Sequence, residues 1–185
     1  MAGPGSRSSV TASGRAPATA VVACRAAAGP AELAAHFRIR RQVFVAEQGL
    51  FRTAGGGDDR DGRDDDPATV HVIGLADDVI CGTVRLYPLA GAAGRWKGDR
   101  LAVLPGHRQQ GIGAPLVRFA VTTAAQRGGA EMEAFIQPAN VTFFEWLGWR
   151  RAGGLVAYAG IPHQRMVIGL SGVRAAAAGP GGRAW

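Results

Sequence analysis

Apolar positions recur along this chain with two distinct periods. They run consecutively from Leu101 to Leu104, stop at Pro105-Gly106, and return at helical spacing from Leu116. A strand, a tight turn holding Gly111 and Gly113, and a helix from Gly111 to Arg127 are the elements this predicts. Gly113, Leu116, Val117, Ala120 and Ala124 share one face of that helix, small enough for close approach to a sheet. Upstream, Thr19 to Arg25 reads as a short first strand. Pro30 and Glu32 open a helix in which Leu33, Phe37, Arg40 and Phe44 share a face. Arg38, Arg40 and Arg41 are expected to keep their heads in solvent, or one of them to face a ligand. Val70 to Leu75 and Val79 to Leu89 form a hairpin about Ala76-Asp77-Asp78. Ala90 to Asp99 reads as a Gly-rich excursion, with Trp96 either covering a pocket or packed on the surface, and Arg100 to Val103 as a further strand. Gly129 to Gln137 predicts another strand. Asn140 is placed as N-cap of a helix from Val141 to Leu147 that Gly148 stops, before last strands at Leu155 to Tyr158 and Arg165 to Leu170. The order predicts an α/β (α+β) fold, a mixed sheet with helices on both faces.

Length changes this picture little. The 185 residues are read as one domain over 19–171, between a disordered Gly/Ser/Arg-rich tail at 1–18 and a flexible Ala/Gly tail at 172–185. The net charge of +7 is spread rather than blocked. It would attract an anionic ligand, while the lack of a Lys/Arg block interleaved with aromatics argues against nucleic acid. Lysine occurs once, at Lys97, an Arg-for-Lys bias read as compositional. Cys24 and Cys81 form no disulfide framework. No apolar run reaches membrane-spanning length, so no membrane partner is expected and a cytoplasmic location is the default. Residues 53–67 carry Asp58, Asp59, Asp61, Asp64, Asp65 and Asp66. A calcium loop fails there for want of a Glu at the twelfth position, so no metal is expected. A flexible, solvated acidic loop at a pocket mouth, favouring a cationic acceptor, is the simpler reading.

Candidate chemistry centres on Arg108-Gln109-Gln110-Gly111-Ile112-Gly113-Ala114. Glycines admit close approach to the main chain, and a helix start offers unpaired N–H groups beside Arg108. The turn either holds a phosphate or is a Gly-rich turn without a ligand. Its spacing matches neither G-x-G-x-x-G nor the Walker loop.

Three stretches carry a resemblance. Arg108-x-x-Gly111-x-Gly113 after a strand ending Val-x-Pro, Arg40-x-x-Val43-Phe44-x-x-Glu47-Gln48, and Asn140 to Trp149 resemble segments of the GNAT (Gcn5-related) N-acetyltransferases, in the family's order. Finer likeness, including Pro162-His163-x-x-Met166, is to N-acetyltransferases associated with nitrogen-starvation gene clusters. The resemblance implies a mostly antiparallel sheet splayed at an acyl-CoA site. It implies acetyl-CoA as cosubstrate, with its pyrophosphate on the amides from Gln109 to Ala114. Leu101, Ala102 and Val103 would hold the thioester carbonyl, and Asn140, Phe143 and Phe144 would line the cofactor side. Arg85 either binds an anion or faces out.

A small-molecule amine would be acetylated by direct transfer, with a homodimer allowed. A general base needs reach and a suitable pKa. His163, Glu47 and Glu133 are the candidates, with His71 as a further one that a packed core histidine would also explain. Phe144 stands where many members have a Tyr that protonates the leaving thiolate, so a non-catalytic acyl-CoA-binding scaffold is the alternative.

Overall fold

The computed structural model describes residues 20–51, 57–158 and 160–173. The expected tail at 1–18 and most of that at 172–185 lie outside them. Val173, inside the expected tail, packs against the core.

Seven strands form one sheet: β1 (Val22–Ala26), β2 (Val70–Ala76), β3 (Val79–Pro88), β4 (Arg95–Val103), β5 (Glu131–Ile136), β6 (Arg150–Tyr158) and β7 (Ile161–Gly169). Their order is β1-β2-β3-β4-β5-β7-β6, antiparallel throughout except for β4 against β5. The helices are α1 (Gly29–Arg40), continued by a π-helical turn at Arg41–Glu47, α2 (Gly113–Gln126) and α3 (Val141–Trp146). On one face, Ile39 and Val43 pack on Ala102. The larger core joins Leu116, Val117, Ala120 and Ala124 of α2 to Val72, Val84, Leu86 and Trp96 of the sheet. Gly82 makes this packing possible: a Cβ there would stand 2.8 Å from Leu116 Cδ1.

Several expectations are corrected. The excursion at 90–99 ends early, because β4 already begins at Arg95, and Trp96 is buried in the core instead of covering a pocket. The face of α1 is shifted as well. His36, Ile39, Arg40 and Val43 are buried, while Leu33 and Phe37 are only half-buried. Arg40, expected in solvent, is wholly buried because two carboxylates meet it: Nε donates to Asp59 (2.6 Å) and Nη1 to Asp64 (2.5 Å). The described part of the acidic loop is therefore solvated only in part, with Asp58, Asp61 and Asp65 exposed. Asp59 and Asp64 are buried, and Asp61 is bound to Arg85 at 2.7 Å. Arg85 neither faces out nor stands free for a ligand, since Asp99 holds its Nε at 2.8 Å. Burial opposes its charge, but the bonds to Asp99 and Asp61 prevail and raise its pKa. Burial likewise opposes the charge of Asp64, yet Arg40 holds its carboxyl below the usual range.

Candidate active site

The predicted anion turn lies between β4 and α2. After Val103, residues Pro105–Gln110 make a 3₁₀ turn, and Gly111 follows with φ +74°, a conformation that favours glycine. Ile112 turns its side chain wholly into the core. The ladder of α2 begins with Leu116 N–H on Ile112 O (3.2 Å), and Pro115 has no N–H, so Gly113 and Ala114 present the helix's free donors. A Cβ at Gly111 would meet no protein atom within 4 Å, which leaves the amides accessible. Gln109 is exposed beside them, and the side chain of Gln110 contacts His107 Nδ1 at 2.8 Å. Arg108 is not a free anion receptor. Its Nη2 donates to Glu47 (2.7 Å) and its Nε to Val103 O (3.2 Å).

The sheet opens beside this turn. β4 and β5 pair only at Arg95–Lys97 with Glu131–Glu133 and then part. Past Lys97 the β5-facing edge of β4 therefore has no partner from that strand. β4 also bulges: Asp99 faces Arg85 and Ala102 faces Thr83, so Arg100 and Leu101 oppose Val84 alone. Arg100 has φ +53°, and its carbonyl accepts from Thr83 Oγ1 at 3.2 Å.

The fork opens into a cleft. Phe44, Leu50 and Phe51 wall one side, and Ala134 to Ile136 of β5 with Gln137 after them the other. Gly98 to Leu101 form an edge, and Phe144, Trp149, Tyr158 and His163 complete the lining. The π-helical turn carries Phe44 to the cleft while Val43 stays in the core. Gln137 Nε2 donates to Gln48 Oε1 (3.2 Å) across the opening.

Two titratable side chains here have defined hydrogen-bond partners. His163 is buried, and its Nδ1 lies 3.0 Å from Ile161 O. A carbonyl only accepts, so Nδ1 carries the proton and Nε2 keeps its lone pair in the neutral ring. Tyr158 lies edge-on to His163, ring centroids 5.4 Å apart, and its oxygen accepts from Arg100 Nη1 at 2.9 Å. That leaves the phenolic proton free to donate.

The predicted residues divide accordingly. Leu101, Asn140, Phe144 and His163 all line the cleft, although His163 sits within β7 and not in the loop before it. Phe143 packs edge-on to Phe144 (5.5 Å) and lies beside Gly113. Asn140 makes no side-chain cap to α3, a correction that follows from the 3₁₀ turn at Pro138–Asn140 feeding straight into the helix. Ala102 faces α1, and Val103 packs on the larger core. Glu47 and Glu133 do not line the cleft, each being committed elsewhere: Glu47 to Arg108, and Glu133 to Arg95 (2.6 Å) and Arg165 (2.7 Å). His71 lies outside it too, with Nδ1 3.4 Å from His36 Nε2 and Nε2 3.2 Å from Asp64 O. Lys97, Asp99, Tyr158 and the side chain of Arg100 were not anticipated. The only signal for Lys97 was that it is the sole lysine, and nothing local singled out Tyr158.

Among the described residues no group of three or more His, Cys, Asp or Glu side chains could hold a metal ion, and no helix is long and apolar enough to cross a membrane.

Known proteins share this design. A Lactobacillus plantarum protein solved as a candidate N-acetyltransferase is 27% identical, with TM-score 0.68 over 80% of this chain and 98% of its own. A Pseudomonas aeruginosa acyl-CoA N-acyltransferase is 22% identical, with TM-score 0.65 over 80% and 98%. FeeM, an N-acyl amino acid synthase from uncultured soil microbes, is 18% identical, with TM-score 0.68 over 85% and 95%. The sequence model described as the acetyltransferase (GNAT) family matches residues 38–149. With that match over more than half its length, and with a forked sheet beside an amide-bearing turn, this chain belongs to the GNAT family of acyltransferases.

Proposed function

We propose that the protein transfers an acetyl group from acetyl-CoA directly to the primary amine of a small molecule. The observation that carries this reading is the meeting, in one cleft, of the parted β4 edge with His163, whose Nε2 is free to take a proton. The amides of Gly111, Gly113 and Ala114 would receive the pyrophosphate at the start of α2. Main-chain donors of the bulged Arg100-Leu101 segment would polarise the thioester carbonyl. Support also comes from the relatives, two of which are described as N-acyltransferases or candidate N-acetyltransferases.

The transfer runs through one amine. Its ammonium gives a proton to His163 Nε2, and the exposed lone pair forms a bond to the thioester carbon. The C–S bond breaks, and its electron pair leaves on the CoA sulfur. The amine's second proton is lost to solvent, and Tyr158 gives its phenolic proton to the thiolate and is reprotonated from solvent. Tyr158 thus does the work for which Phe144 lacks a hydroxyl. A CoA thiol with a pKa near that of cysteine, about 8.5, needs only modest help in leaving. Holding amine and thioester together supplies much of the rest of the rate.

The test is free-thiol release from acetyl-CoA against a library of amines. Turnover with at least one amine, and its loss in His163→Gln, are the expected results. Tight acetyl-CoA binding with no turnover on any amine would instead make the protein an acyl-CoA-binding scaffold.

A further inference from the structure

Among the described residues, one cation in the cleft has no counter-ion. Lys97 makes no ion pair among the described residues; its ammonium lies over the rings of Phe135 (4.6 Å) and Tyr158 (5.8 Å). The carboxylate opposite it in the β4–β5 register is Glu133, which Arg95 and Arg165 occupy instead. The other cation of the lining, Arg100, is saturated. It donates to Tyr158, to Asp59 O and to Asp61, with Asp59 Oδ2 3.3 Å away. Lys97 stands where the two strands part, beside the place the acyl group would occupy, and a half-buried ammonium over two rings favours an anion there.

The opposite charge lies two residues along the same strand face. Asp99 belongs to the network of Arg40, Arg85, Arg100, Asp59, Asp61 and Asp64. Four carboxylates against three guanidiniums leave that network one negative charge in excess, and Asp99 and Arg100 are its members in the cleft lining. The cleft thus has a lone positive charge at the fork and, beyond it, a network with one negative charge in excess. A simple amine would meet only repulsion at Lys97. A molecule bearing both charges would meet a partner at each end.

We propose that the acceptor carries a carboxylate close to its amine, as an α-amino acid does, with Lys97 receiving the carboxylate and the excess negative charge of the Asp99 network drawing the ammonium. This rests on the acyl-transfer reading and names its substrate class. The bonds made and broken are those already given: N–C forms, C–S breaks, and the carboxylate takes no part in either.

Two measurements on the full chain test it. The CoA-loaded protein is titrated calorimetrically with each of the twenty L-amino acids and with its carboxamide. Free-thiol release from acetyl-CoA is then followed with the same pairs. The best amino acid should exceed its carboxamide by tenfold or more, both in affinity and in kcat/KM. Lys97→Gln should shrink that ratio at least tenfold, and Lys97→Arg, which keeps the charge, should restore part of it. Equal binding of acids and amides, or an unchanged ratio in Lys97→Gln, would overturn the carboxylate site. Acid-selective binding without thiol release would retain the site and remove acyl transfer. Thiol release with amides and simple amines alone would do the reverse.

Discussion

At the scale of single residues, the site depends on two positions whose roles can be separated. His163 has its Nδ1 proton fixed on Ile161 O, so only Nε2 can accept from an ammonium. His163→Gln should lower kcat by a hundredfold or so, the range of a lost general base. It should also leave the KM for acetyl-CoA little changed. An unaltered kcat would return the proton to solvent. Gly111 serves the other substrate. With φ +74° it strains under any side chain, whereas Gly113 would bring a Cβ only to 3.6 Å from Phe143 Cζ, an ordinary contact. Gly111→Ala should therefore weaken CoA and dephospho-CoA together by about tenfold, equivalent to ~1.4 kcal/mol. Gly113→Ala should weaken them less. Pantetheine, which lacks the pyrophosphate, should be insensitive in calorimetric titration, and equal losses for it would place the defect in folding.

At the scale of elements, the α1 segment and the acidic loop hold each other in place. Arg40 brings a guanidinium that is wholly buried, and Asp59 and Asp64 neutralise it from the loop. Removing one partner of such a pair strands the others without water. Arg40→Ala should lower unfolding stability by about 3–5 kcal/mol, read as a fall in the urea midpoint at constant slope. A loss below 1 kcal/mol would mean the loop re-solvates freely. The same pair explains what the sequence could and could not disclose. The turn from Arg108 to Ala114 was legible as a turn because its signals are local: two glycines and a helix start within seven residues. The buried face of α1 was misread because its decisive contacts, Asp59 and Asp64, lie about twenty residues downstream in a stretch that looks solvated. β4 was read as starting late because the glycines at Gly94 and Gly98 and the bulge at Arg100 interrupt the alternation. The joining of Lys97, Asp99, Tyr158 and His163 had no local signature, since β4, β6 and β7 meet only once the sheet is assembled.

At the scale of the whole molecule, the buried histidine on α1 ties stability to pH. Burial, with Arg40 close by, pushes the imidazole of His36 down to about 3. In the unfolded chain it returns to its ordinary value near 6.5. Between those values the unfolded state binds a proton that the native state refuses, so stability falls as pH falls below about 6.5, by up to about 1.4 kcal/mol per unit. Asp64, held below the usual range, acts in the same direction at lower pH. Urea midpoints from pH 7.5 to 4 should decline accordingly, and His36→Gln should flatten the decline; an identical slope would absolve His36. The short β4–β5 junction adds a mechanical consequence. β1 to β4 with α2 upon them form one plate, β5, β7 and β6 a second, and three rungs of one ladder are the strands' seam between them. A CoA molecule wedged in the fork would bear on both plates like a dowel across a hinge. Amide hydrogens of β5 and β7 should then exchange more slowly in the loaded protein than in the free one, while those of β2 and β3, remote from the seam, keep their rates.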